Sequence, residues 1–170
     1  MTLRLPGLSI ATRFGLAGVI LGLGSALAQA ATLVALGASN TYGKGVARNQ
    51  AYPAQLEAIL RAKGLRVRVV NAGINGDTTE GMLRRLERAV PNGTSAVIFQ
   101  PGGNDRRKAS ADRSSEIQSR LAARGIPVIM LANNMLQGLP HQPDGQHLTP
   151  DGYHRLAETV ASQVEGVVGR

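Results

Sequence analysis

The chain has 170 residues, 43% of them hydrophobic, which fits one domain with an apolar core of its own. It contains no cysteine, so the fold depends on neither disulfides nor thiolate-bound metals. The formal net charge is +8, but no aromatic residues interleave with the densest basic run, Arg106-Arg107-Lys108, which disfavours nucleic acid as a partner. A solvated surface is the favoured interpretation of these charges, and attraction to an anionic substrate or cell surface is the alternative.

The first 30 residues have the pattern of a secretory signal peptide. Arg4 and Arg13 are their only charges, residues 14–27 are apolar, and Ala28-Gln29-Ala30 is a small-x-small cleavage signal. The alternative is an uncleaved membrane anchor, but the apolar run is shorter than the roughly 20 residues that span a bilayer. We therefore expect cleavage after Ala30, a periplasmic or secreted domain at residues 31–170, and no stable membrane insertion after cleavage.

Strand and helix patterns then alternate along the chain. A short apolar strand at residues 32–36 precedes a helix at 52–63. A second strand at 67–70 precedes a helix at 78–90, which Asp77 or Thr78 caps and Pro91 ends.

The second half repeats this alternation. A strand at 96–99 precedes a helix at about 110–124, and a strand at 127–131 precedes a polar loop at 133–146. The last helix starts at Thr149-Pro150 and runs to about residue 164. Four short apolar strands separated by helices predict an α/β fold with a parallel sheet and helices on both faces.

Polar residues follow each predicted strand. Ser39 follows the first strand, Gly76 the second and Asn104 the third, and the segment 144–147 follows the fourth across the loop. Because ligands of open parallel sheets bind beyond the carboxyl ends of the strands, we expect these groups to cluster at one edge.

That set of groups suits acyl transfer. Ser39 is the candidate nucleophile, His147 its base, and Asp144 the carboxylate that orients the imidazole. The backbone N–H groups of Ser39 and Gly76, with the Asn104 amide, are candidate donors to the oxyanion. Taken alone, each residue is more simply interpreted as a helix cap, a turn residue or a loop residue than as a catalytic one. The prediction therefore depends on the order and placement of the whole set.

Two other histidines need a decision. Asp151 and His154 repeat the Asp-x-x-His spacing, but they lie inside the predicted last helix, whereas His147 precedes it. We therefore favour His147 as the base, and we expect His141 to be solvated in a mobile loop.

The four segments resemble the sequence blocks of the SGNH (GDSL-like) hydrolases. Ser39, Gly76, Asn104 and His147 match the four residues of that name, and the resemblance covers residues 31–170. It implies a three-layer, flavodoxin-like fold with a four- to five-stranded sheet, no cofactor and no metal. The sequence is similar in particular to exported bacterial acyl hydrolases with thioesterase, lysophospholipase and arylesterase activity. One departure is Ala38, where the first block usually has Asp, which leaves the positioning of the serine in question.

We therefore predict a serine hydrolase of short- to medium-chain acyl (thio)esters or lipids, with Met135 and Leu136 of the loop as substrate contacts. A carbohydrate O-deacetylase of the same fold and a catalytically weak binding module are the alternatives, and the oligomeric state is open. A P-loop is disfavoured because Gly45 stands where Ser or Thr is required. An α/β-hydrolase elbow is disfavoured because Thr41 replaces its last glycine.

Overall fold

The structure is a computed structural model that describes residues 30–168. Apart from Ala30, the predicted signal peptide lies outside this range. Between residues 30 and 168, every helix is too short or too polar to span a bilayer.

Four parallel strands form one sheet in the order β2-β1-β3-β4. The strands are β1 (Ala31–Gly37), β2 (Val67–Gly73), β3 (Ala96–Gln100) and β4 (Val128–Met130). Each corresponds to a predicted strand, so the predicted parallel α/β sheet is confirmed. Gly37 at the end of β1 is in register with Gly73 and Gln100, which aligns the carboxyl ends of three strands at one edge.

Helices cover both faces of the sheet. They are α1 (Ser39–Tyr42), α2 (Tyr52–Ala62), α3 (Thr79–Arg84), α4 (Leu86–Ala89), α5 (Asn104–Arg107), α6 (Ser114–Ala123) and α7 (Pro150–Val168), with short 3-10 helices at Arg48–Gln50 and Asn133–Leu136. As predicted, Thr149 caps α7, since its hydroxyl accepts the Gly152 N–H at 3.2 Å. Thr78 caps α3 in the same way through the Gly81 N–H at 3.1 Å.

Two helices differ from the prediction. The helix expected at 78–90 is divided between α3 and α4 at Arg85, where φ is −106° and the N–H bonds back to Met82 in a tight turn. The helix expected from residue 110 starts at Ser114, because the segment before it is tied elsewhere. The Arg113 N–H donates to the Thr79 hydroxyl at 2.7 Å, and Asp112 accepts the Ser114 N–H at 2.8 Å.

Alternate residues of the buried strands supply two separate cores. Leu33 and Ala35 of β1 face the core formed with α2 and α7, whereas Val34 and Leu36 face the core formed with α3, α4 and α6. Tyr52 and Tyr153 pack with aliphatic side chains in the first core, and Phe99 of β3 packs with aliphatic side chains in the second. The two-sided burial of β1 explains its continuous apolar sequence.

Candidate active site

Ser39 lies at the start of α1, two residues beyond the end of β1. Glycines allow this turn to fold tightly over the sheet edge. A Cβ on Gly73 would lie 2.2 Å from the Tyr42 amide nitrogen, and a Cβ on Gly37 would lie 2.1 Å from the Thr41 hydroxyl oxygen. Both positions therefore require glycine, because the turn that carries Ser39 packs directly against backbone.

His147 and Asp144 form a hydrogen-bonded series with Ser39. His147 Nε2 is 3.0 Å from Ser39 Oγ, and His147 Nδ1 is 2.5 Å from Asp144 Oδ2. The Ser39 and His147 residues are buried, whereas the Asp144 side chain is 41% exposed. This is the geometry of a nucleophile, a base and an orienting carboxylate.

The Asp144 carboxylate is held in its ionised form. Its hydrogen bond with the His147 ring is the main cause that lowers the pKa of Asp144 well below its usual range. The N–H groups of His147 and Gln146 lower it further by donating to Oδ1 at 3.0 and 2.9 Å. Asp144 is therefore a charged acceptor for His147 Nδ1–H throughout the neutral pH range.

The Asn104 carboxamide has a defined orientation. Its Nδ2 donates to the Asp77 carbonyl at 2.7 Å, and its Oδ1 accepts from Arg107 Nη2 at 2.5 Å. Asn104 lines the cleft that also contains Ser39 and Lys44. Gly76, with φ of +74°, lines the same cleft. Among residues 30–168, neither the Ser39 nor the Gly76 N–H has a protein acceptor, so both backbone donors remain available to a ligand.

Asn40 connects the serine turn to the histidine loop and the last helix. Its Nδ2 donates to the Gln146 carbonyl at 3.1 Å, and its Oδ1 accepts from the Tyr153 hydroxyl at 3.0 Å. Burial raises the pKa of Tyr153 to about 12, so this hydroxyl remains a neutral donor. The distance between Ser39 and His147 is thus fixed through side chains of α1 and α7.

Sequence reasoning missed Gln100, which supports the serine turn where the usual block-one Asp is absent. Gln100 is 1% exposed, and its Oε1 accepts from the Ala38 N–H at 3.4 Å and the Thr41 hydroxyl at 3.3 Å. Its Nε2 donates to Asn133 at 3.3 Å. The signal in the sequence was a polar residue that ends an otherwise apolar strand.

The Asp77–Arg85 ion pair was also missed. Arg85 Nε is 2.9 Å from Asp77 Oδ2, and the side chains are only 10% and 12% exposed. Arg85 Nη2 also donates to the Gly37 carbonyl at 3.3 Å. The pair therefore ties the loop that carries Gly76 to the strand end that precedes Ser39.

The two substrate contacts predicted from the loop separate in the structure. Both residues pack in the core of α2 and α7, but Leu136 also lines a cleft of about 320 Å³ next to Ser39, whereas Met135 does not. Consecutive residues of a 3-10 turn point in different directions, which the sequence pattern did not resolve.

The remaining histidines lie apart from the Ser39–Asp144 series. His154 is exposed on α7, with Nδ1 2.7 Å from Gln55 Oε1. His141 does not match the solvated side chain that we expected, because it is half-buried, lines the Leu136 cleft and bonds through Nδ1 to the Leu139 carbonyl at 2.6 Å.

No group of three or more His, Cys, Asp or Glu residues that could hold a metal ion occurs between residues 30 and 168.

A parallel sheet between helix layers, with serine, glycine, asparagine and histidine at the strand ends, defines the class of SGNH hydrolases. The sequence pattern of the GDSL-like Lipase/Acylhydrolase family matches residues 35–165. The chain therefore belongs to this family and is an SGNH-type serine esterase.

Similar proteins agree with this assignment. Esterase TesA of Pseudomonas aeruginosa is 35% identical over 144 residues, which are 80% of this chain and 68% of that protein. A crystal structure of TesA has a TM-score of 0.66 at 26% identity, covering 81% of this chain and 99% of that chain. The psychrotrophic esterase EstA from Pseudoalteromonas sp. has the same fold, with a TM-score of 0.69 at 14% identity over 82% of this chain and 99% of that chain.

Proposed function

We propose that the protein hydrolyses short- to medium-chain acyl esters and thioesters through an acyl-enzyme on Ser39. The supporting observation is the hydrogen-bonded series Ser39–His147–Asp144, with distances of 3.0 and 2.5 Å. His147 Nε2 takes the Ser39 proton as Oγ attacks the carbonyl carbon, and then gives that proton to the leaving group. Water then attacks the acyl-enzyme while His147 Nε2 takes one of its protons. His147 returns that proton to Ser39 Oγ as the acid leaves, which restores the free enzyme.

In this proposal, three donors stabilise the tetrahedral intermediate. They are the Asn104 Nδ2–H and the N–H groups of Ser39 and Gly76, which were predicted from the sequence. The hydrogen bonds of Asn104 to Asp77 and Arg107 set the amide before substrate binds, so no reorganisation is needed when the negative charge develops.

The lining of the cleft supports a short acyl group. Among the residues around the 320 Å³ cleft, Ala38 and Leu136 alone have apolar side chains. Each buried methylene is worth about 0.8 kcal/mol, which is roughly fourfold in kcat/KM, but only while apolar surface covers it. We expect kcat/KM to rise from acetate to butyrate or hexanoate and then to flatten or fall.

A panel of p-nitrophenyl esters from acetate to dodecanoate, measured below the micelle threshold, tests this proposal. Leu136→Ala is expected to lower kcat/KM for hexanoate more than for acetate, because it removes the wall of the cleft. Met135→Ala is the matched control, since Met135 packs against the same core as Leu136 without lining the cleft, and it is expected to affect all esters alike. A steady rise through dodecanoate would show that the cleft is not short.

An O-deacetylase for carbohydrates is the second candidate, and the polar part of the cleft favours it. Asn133, Gln137 and His141 line the cleft and offer polar groups to which a sugar could hydrogen-bond. Acetyl-xylan and a lysophospholipid, assayed beside p-nitrophenyl acetate, separate the two functions. A kcat/KM for acetyl-xylan above that of every simple ester would favour the deacetylase.

We also propose export with cleavage after Ala30. β1 begins at Ala31, whose N–H donates to the Arg66 carbonyl at 2.8 Å, so cleavage there leaves the first strand complete. Mass analysis of the protein from the envelope fraction is expected to find Ala31 as the first residue. An intact N-terminus in the cytosol would contradict this proposal.

A further inference from the structure

A second cleft, of about 460 Å³, opens beside the same serine. It shares Ser39, Asn104, Arg107, Gln146 and His147 with the Leu136 cleft, so the reacting groups lie between the two, and Lys44 lines only the second cleft. Every residue that lines the second cleft is either polar or glycine. Because no aliphatic or aromatic residue lines it, this cleft suits an acyl chain less well than the Leu136 cleft does, and it suits the other half of an ester, the leaving group.

The walls of this second cleft carry positive charge. Lys44 and Arg107 line it, and Lys108 stands at its edge, with Nζ 2.6 Å from the carbonyl oxygen of the lining residue Gly76. Across residues 30–168, none of these three side chains forms an ion pair with a carboxylate. Asp144 is the one carboxylate in the lining, and its oxygens are already bound to His147 and to backbone N–H groups.

Lys44 is fixed in position relative to the nucleophile. Its N–H donates to the Ser39 carbonyl at 3.0 Å, and its carbonyl accepts from Gln142 Nε2 at 2.8 Å. The ammonium group therefore extends from a backbone held by the serine turn on one side and the histidine loop on the other. Arg107 is similarly held by its bond to the Asn104 carboxamide.

We propose that this second cleft is a leaving-group subsite for anions, in which Lys44, Arg107 and Lys108 bind a carboxylate or phosphate on the alcohol side of the ester. The inference rests on the proposed esterase mechanism and assigns the two clefts to the two halves of the substrate. The acyl group lies against Leu136, and the alcohol lies in the cationic cleft near the protonated His147 that releases it.

The size of the expected preference for an anionic ester follows from the exposure of the three cations. A single exposed ion pair changes an equilibrium by about fivefold or less, so three cations together are expected to favour an anionic ester by roughly tenfold at low salt. Screening shortens the reach of these charges to about 3 Å at 1 M salt, and the preference is expected to fall accordingly.

Two acetate esters that differ in charge test the subsite. The substrates are 4-acetoxybenzoate and its neutral methyl ester, and each kcat/KM is divided by the rate of hydroxide-catalysed hydrolysis to remove intrinsic reactivity. The corrected kcat/KM of the anionic ester is expected to be about 10 times that of the neutral ester at low salt, which is the preference expected from three exposed cations. This quotient is called the anionic-to-neutral ratio. A third substrate, 4-acetoxyphenyl phosphate, shows whether phosphate or carboxylate is preferred.

Lys44→Glu is expected to lower the ratio about fivefold, because it replaces an attractive charge with a repulsive one, and Lys44→Met is expected to lower it by a smaller factor. Arg68→Glu is the matched control, because it makes the same charge change near the start of β2, at the opposite end of the sheet from the site. Its ratio is expected to equal that of the unmodified protein.

A ratio near one that does not respond to Lys44→Glu, with the neutral ester still hydrolysed, would overturn the subsite alone. An equal fall in Arg68→Glu would also overturn it, because the preference would then come from net charge. Failure to hydrolyse either ester would instead contradict the proposed function.

Discussion

The Asp144→Asn substitution changes the hydrogen-bond chemistry at His147 Nδ1 with little change of shape. In the native loop, Oδ1 accepts two backbone N–H groups and Oδ2 faces Nδ1 at 2.5 Å. Asn can keep the backbone bonds through its oxygen, but it then presents an NH₂ group to the ring. His147 must place its proton on Nε2, where it points at Ser39 and cannot accept the proton of the hydroxyl.

The expected loss follows from the exposure of the carboxylate. In serine proteases with a buried triad aspartate, the same change lowers kcat about 10⁴-fold by fixing the wrong tautomer. Here the Asp144 side chain is 41% exposed, so water can replace part of the lost interaction. We expect kcat to fall about 10²- to 10³-fold, less than in that buried case. Asp144→Ala is expected to lose less than Asp144→Asn, because water can then accept the Nδ1 proton and preserve the reactive tautomer.

The assay compares kcat for p-nitrophenyl butyrate from pH 5 to 9. Because the pKa of Asp144 is lowered, the carboxylate stays ionised over this whole range, and its protonation does not contribute to the acidic limb of the native profile. Asp151→Asn is the matched control, since Asp151 also precedes a histidine by three residues but pairs on the surface with Arg155 at 3.0 Å. Near-native kcat in Asp144→Asn, or an equal loss in Asp151→Asn, would refute the assigned role.

Three further predictions concern the nucleophile, the base and the support of the serine turn. Ser39→Ala is expected to lower kcat roughly 10³-fold or more and to remove labelling by a fluorophosphonate probe; labelling of another serine would contradict this assignment. His147→Ala is expected to abolish turnover, while His154→Ala keeps it, and a paired activity assay giving the reverse would identify the wrong histidine. Gln100→Leu removes the acceptor of two donors in the serine turn, so we expect a loss of about 1–3 kcal/mol in the free energy of unfolding together with a lower kcat. Unchanged chemical denaturation and activity would show that Gln100 is dispensable.

The sequence was sufficient for those features that follow from strand order. An apolar run buried on both faces identifies a parallel strand, and the rule that ligands bind at carboxyl ends brings Ser39 and His147 to one edge although 108 residues separate them. Similar reasoning preferred His147 to His154, because the Thr149-Pro150 signal placed only the second histidine inside a helix.

Features that depend on contacts between residues distant in sequence could not be predicted from local patterns. The division of the predicted helix at Arg85 coincides with a guanidinium that reaches Asp77 and the Gly37 carbonyl, 48 residues away. The late start of α6 depends on the bond between Arg113 and Thr79. Local helix propensity does not include such long-range hydrogen bonds. Where the two disagree, tertiary contacts override the local preference for helix.

The links that Asn40 makes to Gln146 and Tyr153 have a consequence for synthesis of the chain. The proposed nucleophile, Ser39, is made just after the first strand, whereas its proposed base, His147, precedes the last helix, α7. A growing chain can therefore form most of its sheet while Ser39 still lacks a proton acceptor. The site is completed only when α7 docks and Tyr153 reaches Asn40. We therefore expect chains that end before α7 to be inert towards esters, so that hydrolysis would report the docking of this helix.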